Sequence, residues 1–337
     1  MSPQFPELSE LERLANLFHR QARVEQVASI KHLDRSYPLI TFCLGSQDPT
    51  APVLGLVGGV HGLERIGTQV VLAYMHSLIE RLSWDETLHW QLERVRVVCM
   101  PLVNPAGMNL RRRSNGNGVD LMRNGPVVAE RGASFLVGGQ RLSRSLPWFM
   151  GDEGAPMEAE SKALCDFIRR EVFASRSAIL VDAHSGFGIF DQLWFPYAKT
   201  RDPYPGLAEV YGLKRLYDRI YPHHVYKFEP QAKNYTTHGD LWDHLYDEQR
   251  ALGGDRLFVP LTLEMGSWNW VKKNPLQLFS YLGAFNPVKP HRQKRILRRH
   301  MPLFDFLMRS VLSPSGWAPS DDQERRVFDQ AARKLWY

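Results

Sequence analysis

The chain has 337 residues, 44% of them hydrophobic and 11% aromatic, which is enough to fill one sizeable core and too much for a disordered or fibrous protein. Lysine and arginine number 42 against 36 acids, a formal charge of +6. Six of those bases fall in residues 289–300, where no acid occurs, so the rest of the chain is balanced.

No stretch reaches the roughly 18 uninterrupted apolar residues that a membrane helix needs. Residues 1–10 carry acids and prolines in place of the basic start and apolar run of an export signal. A soluble chain with no membrane partner is expected. Cys43, Cys99 and Cys165 are odd in number, lack CxxC spacing and sit among apolar neighbours, so they read as reduced core residues and favour a cytoplasmic location. The basic run reads as the solvated face of a C-terminal helix. No RNA-binding or zinc-finger signature accompanies it, so nucleic acid is not an expected partner.

Taken in chain order, residues 38–44, 53–57, 94–101, 178–183 and 257–263 are short runs rich in Val, Ile, Leu and Phe, bounded by Gly, Pro or Asp, and are predicted strands. Leu63, Ile66, Val70, Tyr74, Leu78 and Leu82 recur at helical spacing, as do Leu164, Phe167, Ile168 and Val172. The alternation predicts an α/β fold: a mixed, mostly parallel twisted β-sheet with helices on both faces. There is no repeat, low-complexity tract or long linker, so a single domain over 1–337 is expected, with a helical C-terminal extension at about 289–337.

Open α/β sheets place their sites where strands end. Three polar residues follow apolar runs in that way: His61, His184 and Glu264. His61 and Glu64 form an HxxE unit at a strand-to-helix junction, a spacing that lets both side chains aim at one ion, and catalytic zinc commonly takes His, His and a carboxylate. Alone the pattern is weak, since a Glu at a helix start is also a favourable charge at the positive helix end.

Further segments follow in order. They are Asn104-Pro105-Ala106-Gly107, Arg111-Arg112-Arg113-Ser114-Asn115, Gly118-Val119-Asp120-Leu121-Met122-Arg123-Asn124, Glu158-Ala159-Glu160-Ser161, Asp182-Ala183-His184 and Thr262-Leu263-Glu264. The ordered set resembles the M14 zinc carboxypeptidases over residues 52–264.

The resemblance implies a single catalytic domain. It implies one zinc ion held by His61, Glu64 and His184, and Glu264 as the general base that takes a proton from water and returns one to the leaving nitrogen. An arginine of the 111–113 cluster would face the oxyanion. Arg112 is taken for that role and Arg113 for substrate binding, although sliding the alignment by one exchanges them. Arg123, with Asn124, would hold the substrate's terminal carboxylate, and Tyr235 in Tyr235-Thr236-Thr237-His238-Gly239 would close over the substrate. Asp182 reads as a strand-end residue bonding backbone in preference to a partner of His184. His223, His224, His238 and His244 are placed by no motif and default to surface or satisfied core.

The implied activity is hydrolysis of an amide bond next to a free carboxylate. Met122 departs from the pattern by standing where an Asn helps Arg123, and Met offers no comparable hydrogen bond. Gly125-Pro126 also replaces the usual aromatic-Pro. These departures keep a second enzyme in view, a deacylase of N-acyl amino acids of the aspartoacylase and succinylglutamate desuccinylase kind. The expected partner is a peptide or an acylated amino acid.

Overall fold

The computed structural model describes residues 5–337. Helix α1 (Pro6–Phe18) buries Leu8, Leu11, Leu14 and Phe18 along one stripe and leads into a hairpin of β1 (Ala22–His32) and β2 (Arg35–Gly45). Then follow β3 (Val53–Gly58), α2 (Arg65–Arg81), α3 (Glu86–Leu92), β4 (Arg96–Met100) and α4 (Pro105–Leu110). The chain continues through α5 (Ala159–Val172), β5 (Ser177–Ser185), β6 (Gln192–Phe195), α6 (Leu207–Ile220), β7 (Lys227–Pro230) and α7 (Leu241–Ala251). It closes with β8 (Leu257–Met265), α8 (Ser267–Lys273), α9 (Pro290–Leu312) and α10 (Asp322–Trp336).

The eight strands form one sheet in the order β1-β2-β4-β3-β5-β8-β6-β7. The four central strands β4, β3, β5 and β8 are parallel neighbours, and antiparallel pairings flank them on either side. Helices cover both faces, as adjacent residues of β2 show. Phe42 meets Phe18 of α1 at 5.7 Å between ring centroids, whereas Cys43 accepts from Arg23, which itself pairs with Glu171 of α5. Successive strand residues point to opposite faces, so α1 and α5 lie on opposite sides of the sheet. All residues of β3, β4 and β5 are buried, which is why their sequences are nearly continuous apolar runs.

The predicted mixed α/β sheet is the observed one, and each of the five predicted strands is present. Three more strands complete it at its margins, β1, β6 and β7. The helix expected from Leu63 begins at Arg65, because residues 61–63 make the turn that carries the HxxE unit. The basic run lies on the first half of α9, where Ile296 and His300 are buried while Lys294, Arg295 and Arg298 are exposed. All three cysteines are free, Cys99 and Cys165 buried and Cys43 half-buried.

Candidate active site

Strand register brings the three polar strand-end residues together. In the parallel β5–β8 pair His184 stands opposite Glu264, and in the β3–β5 pair Gly58 stands opposite Ala183, so the turn after β3 arrives beside His184. Two close approaches set that turn. A Cβ on Gly67 would lie 2.1 Å from the Ala183 carbonyl oxygen, and one on Gly62 would lie 2.2 Å from the Gly107 backbone. Asn104 fixes the other side by capping α4 at the Gly107 N–H (2.8 Å) and donating from Nδ2 to Val60 O at 3.2 Å and Arg113 O at 3.4 Å. The NPAG motif thus ties the HxxE turn to the arginine loop.

His61, Glu64 and His184 are buried, and one donor atom from each lies within 4.8 Å of the others. Glu64 Oε2 accepts from the Ser185 N–H and meets His184 Nδ1, both at 3.0 Å, while Oε1 accepts from Arg113 Nη1 at 3.2 Å. Burial opposes charge on Glu64, yet His61, His184 and Arg113 hold its carboxyl below the usual range. Burial and the adjacent Arg113 push His61 well down, favouring a neutral imidazole, and its Nδ1 is buried with no hydrogen-bond partner among the described residues. Burial also works against charge on His184, but Asp182 and Glu64 outweigh it and raise its pKa well above the ordinary value.

A buried carboxylate satisfied by cations, a neutral imidazole with an unpartnered nitrogen and a second imidazole facing the same carboxylate make a two-nitrogen, one-oxygen donor set open to a cavity. That set fits a catalytic zinc ion. Asp182 Oδ2 accepts from His184 Nε2 (2.7 Å) and Trp242 Nε1 (3.0 Å). The expectation that Asp182 bonds backbone is therefore corrected: its side chain orients His184, as carboxylates commonly do behind metal-binding imidazoles.

Glu264 is buried and its Oε1 accepts from the Phe187 N–H at 3.0 Å. Burial and the neighbouring Glu64 push its pKa up to about 8. Both the triad and Glu264 line one cavity of about 710 Å³, together with Arg113, Met122, Arg123, Trp194, Tyr235 and Asp240.

The two neighbouring arginines point in opposite directions. Arg111 ends α4 in a left-handed conformation, φ 56°, and the reversal turns Arg112 outward to solvent. Arg113 turns inward, donating from Nε to Asp120 Oδ2 at 2.8 Å and reaching His61 Nε2 at 2.7 Å. Burial disfavours its charge, but Asp120 and Glu64 raise its pKa above the ordinary value. Asp120 carries no signal in the sequence beyond its place in the Gly118–Asn124 segment. In the structure it orients Arg113 and also lies 3.7 Å from His61 Nδ1.

Arg123 is buried in the cavity wall. It donates from Nε and Nη2 to Val137 O at 3.1 and 2.9 Å and from Nη1 to Met122 O at 3.2 Å, with its Cζ 5.9 Å from the Tyr235 ring. Tyr235 in turn packs edge-on to Phe187 and Trp194, 5.9 Å from each. Asn124 does not face the cavity. Its amide donates to Met150 O (3.1 Å) and its carbonyl accepts from the Glu158 N–H (2.6 Å), so it fastens this segment to the start of α5.

Of the unplaced histidines, His244 and His224 bond Arg169 and Asp218 at the half-exposed surface, and His238 accepts from the Ala129 N–H. Two cavity features had no signal in the sequence. Asp240 caps α7 with Oδ1, and among the described residues its buried Oδ2 and the Nε1 of Trp194 have no partner.

The family model described as "Zinc carboxypeptidase" matches residues 10–267, and the chain belongs to that M14 family, whose members are zinc-dependent. Among curated proteins, Carboxypeptidase SOL1 of Arabidopsis thaliana is 23% identical over 267 residues, covering 76% of this chain and 49% of that protein. Carboxypeptidase E of Caenorhabditis elegans is 32% identical over 95 residues, 24% of this chain and 20% of that protein. The chain thus matches half or less of the length of these relatives. Among solved structures, thrombin activatable fibrinolysis inhibitor superposes with a TM-score of 0.68 at 19% identity, covering 92% of this chain and 75% of the other. Carboxypeptidase A from Helicoverpa armigera gives 0.62 at 16% identity, with 90% and 72% covered. These likenesses show the fold.

Proposed function

We propose that the protein is a zinc-dependent, carboxypeptidase-like hydrolase that cleaves the amide bond next to a free terminal carboxylate. The observation that carries this reading is the meeting, in one cavity, of the His61–Glu64–His184 triad, Glu264 across the strand pair and the two inward arginines. His61, Glu64 and His184 would hold one zinc ion, which supplies Lewis-acid polarisation and lowers the pKa of a coordinated water towards about 7.

Glu264, oriented through Oε1 by the Phe187 N–H, takes the proton of the attacking water on its other oxygen and passes it to the leaving nitrogen. Arg113, held in place by Asp120, presents fixed donors to the negative charge that develops on the carbonyl oxygen. Arg123 has five N–H groups, and three of them are committed to Val137 and Met122 carbonyls. One hydrogen remains on each terminal nitrogen, the fork that a carboxylate accepts from. The Tyr235 ring covers this pair. The unpartnered Asp240 Oδ2 favours a terminal side chain that carries a hydrogen-bond donor.

Met122 forms the wall beside Arg123 and adds no donor, so the clamp lacks a charge-assisted bond of about 1.5–3 kcal/mol. That gap is the specific reason to weigh the N-acyl amino acid deacylase reading. Mass spectrometry of the zinc-loaded protein with a peptide acid, its C-terminal amide and a panel of N-acyl amino acids separates the two. Release of the terminal residue from the acid alone is expected. Release of acyl groups alone would establish the deacylase.

A further inference from the structure

The loop of residues 274–286, between α8 and α9, holds large apolar side chains in solvent. Leu276, Leu278, Phe279 and Tyr281 are 72%, 59%, 90% and 69% exposed. The loop is nonetheless fixed. Buried Gln277 donates from Nε2 to Gly283 O at 2.5 Å, and the Gly283 N–H donates to Ser280 O at 2.8 Å. Asn286 then fastens the loop to the start of α2, donating to Leu63 O at 2.8 Å and accepting from the Ile66 N–H at 3.0 Å. This is the turn that carries Glu64, so the loop is anchored to the candidate active site. Exposed Tyr281 and half-buried Phe285 border the cavity at its rim. Half-exposed Trp268 extends the ridge, donating to Gly186 O at 3.0 Å with its ring 5.7 Å from that of Phe187.

Bases border this ridge. Lys272 and Lys273 end α8 and are exposed. The first turns of α9 pack against α8, Arg292 donating to Trp270 O at 3.2 Å and Lys273 O at 3.3 Å. His291 and Arg295 share a shallow cleft with Lys273. Among the described residues, Arg299 alone of the six bases in the 289–300 run has an acidic partner, Asp191.

We propose that this loop and the basic start of α9 dock the protein on an anionic lipid surface, with the cavity mouth beside the bilayer. A rigid group of large apolar side chains held in water marks an interaction site. Leu and aromatic residues flanked by unpaired bases have the composition of an interfacial binder, in which the apolar groups enter the headgroup boundary and the bases meet anionic lipid. Nucleic acid would use the bases and leave the ridge in water. A bilayer supplies continuous negative charge and apolar depth together, which matches both features. The proposal is independent of hydrolysis.

Sedimentation of the full chain with vesicles of phosphatidylcholine, alone or with a quarter phosphatidylglycerol, tests it. Binding to the anionic vesicles only, weakening as salt rises, is expected. Leu276→Asp with Phe279→Asp should abolish it. Lys272→Glu with Lys273→Glu and Arg295→Glu should weaken it at least about 100-fold, on the order of fivefold per charge removed. Both variants alter exposed side chains and should melt like the parent. Lack of binding to the anionic vesicles, equal binding to neutral ones, or binding that survives the Leu276 and Phe279 changes would overturn the proposal. So would lipid-free dimerisation that those two changes abolish, because the ridge would then cover a second copy of the chain.

Discussion

Glu64 carries the charge balance of the site, since every polar atom it meets is a donor or a cation: His184, Arg113 and the Ser185 N–H. Glu264, 6% exposed and facing the same cavity, meets a single backbone donor, an arrangement suited to holding and releasing a proton. Glu264→Gln should therefore lower kcat by about 10²- to 10⁴-fold, read by release of the terminal residue from a peptide acid. Unchanged turnover would remove Glu264 as the base.

The two neighbouring arginines give a sharper contrast. Arg113→Ala should cost about 10²- to 10³-fold in kcat, the usual loss for a fixed donor to a developing oxyanion. Arg112→Ala, at an exposed position, should leave kcat within about twofold. The reverse pattern would return the role to Arg112. At Asp240, Asp→Asn keeps an oxygen for the α7 cap while removing the charge. It should lower kcat/KM for Lys- or Arg-terminated peptides and spare Leu-terminated ones, and an equal effect on both would show that Asp240 does not read the terminal side chain.

Among the elements, α9 spans the widest range of environments, from exposed bases at its start to a fully buried His300 packed on Tyr226. Burial pushes the His300 pKa down to about 4, with Asp191 pulling it upward and Arg299 pressing it further down. A histidine depressed in the folded state binds its proton more readily when unfolded. Its contribution to stability is thus intact above about pH 6.5 and is lost as pH falls towards 4. Denaturant titrations at pH 7 and 5 should show this loss, with a limiting slope of about 1.4 kcal/mol per pH unit. His300→Gln should flatten that part of the profile, and an identical slope in the variant would show that the loss comes from other groups.

The elements also show how far the sequence could be read. Strands β3, β4, β5 and β8 are buried on both faces and declare themselves as apolar runs. Strand β1 reads Ala-Arg-Val-Glu-Gln-Val and is mostly half-exposed at the sheet edge, while β6 and β7 have four residues each. None of these three offers a run or alternation long enough to register. Asn104 could be placed by its motif, but its two bonds to separate segments, at Val60 and Arg113, could not.

At the scale of the molecule, the motifs that supply His61, Asn104, His184 and Glu264 lie at or just after strand ends, and parallel register gathers strand ends at one rim of the sheet. What order could not supply was side-chain direction. The opposite directions of Arg112 and Arg113 follow from one left-handed residue, Arg111. The role of Asp182 is not legible in the sequence because its partners, His184 and Trp242, come from two different elements. Asn124, adjacent to the inward Arg123, turns away to hold α5.

The triad joins the turn after β3 to β5, so an ion bound there would cross-link the core of the sheet and act only on the folded state. Zinc at about 1,000 times its dissociation constant should stabilise the fold by about 4 kcal/mol, seen as a rise in Tm that a chelator reverses.

The most direct test of the whole account is zinc content per chain after exhaustive dialysis, measured on the parent, Glu264→Gln, His61→Ala and His184→Ala. One ion per chain is expected in the first two, with a large loss in both histidine variants. Full occupancy in both histidine variants, or no zinc in the parent, would contradict the account.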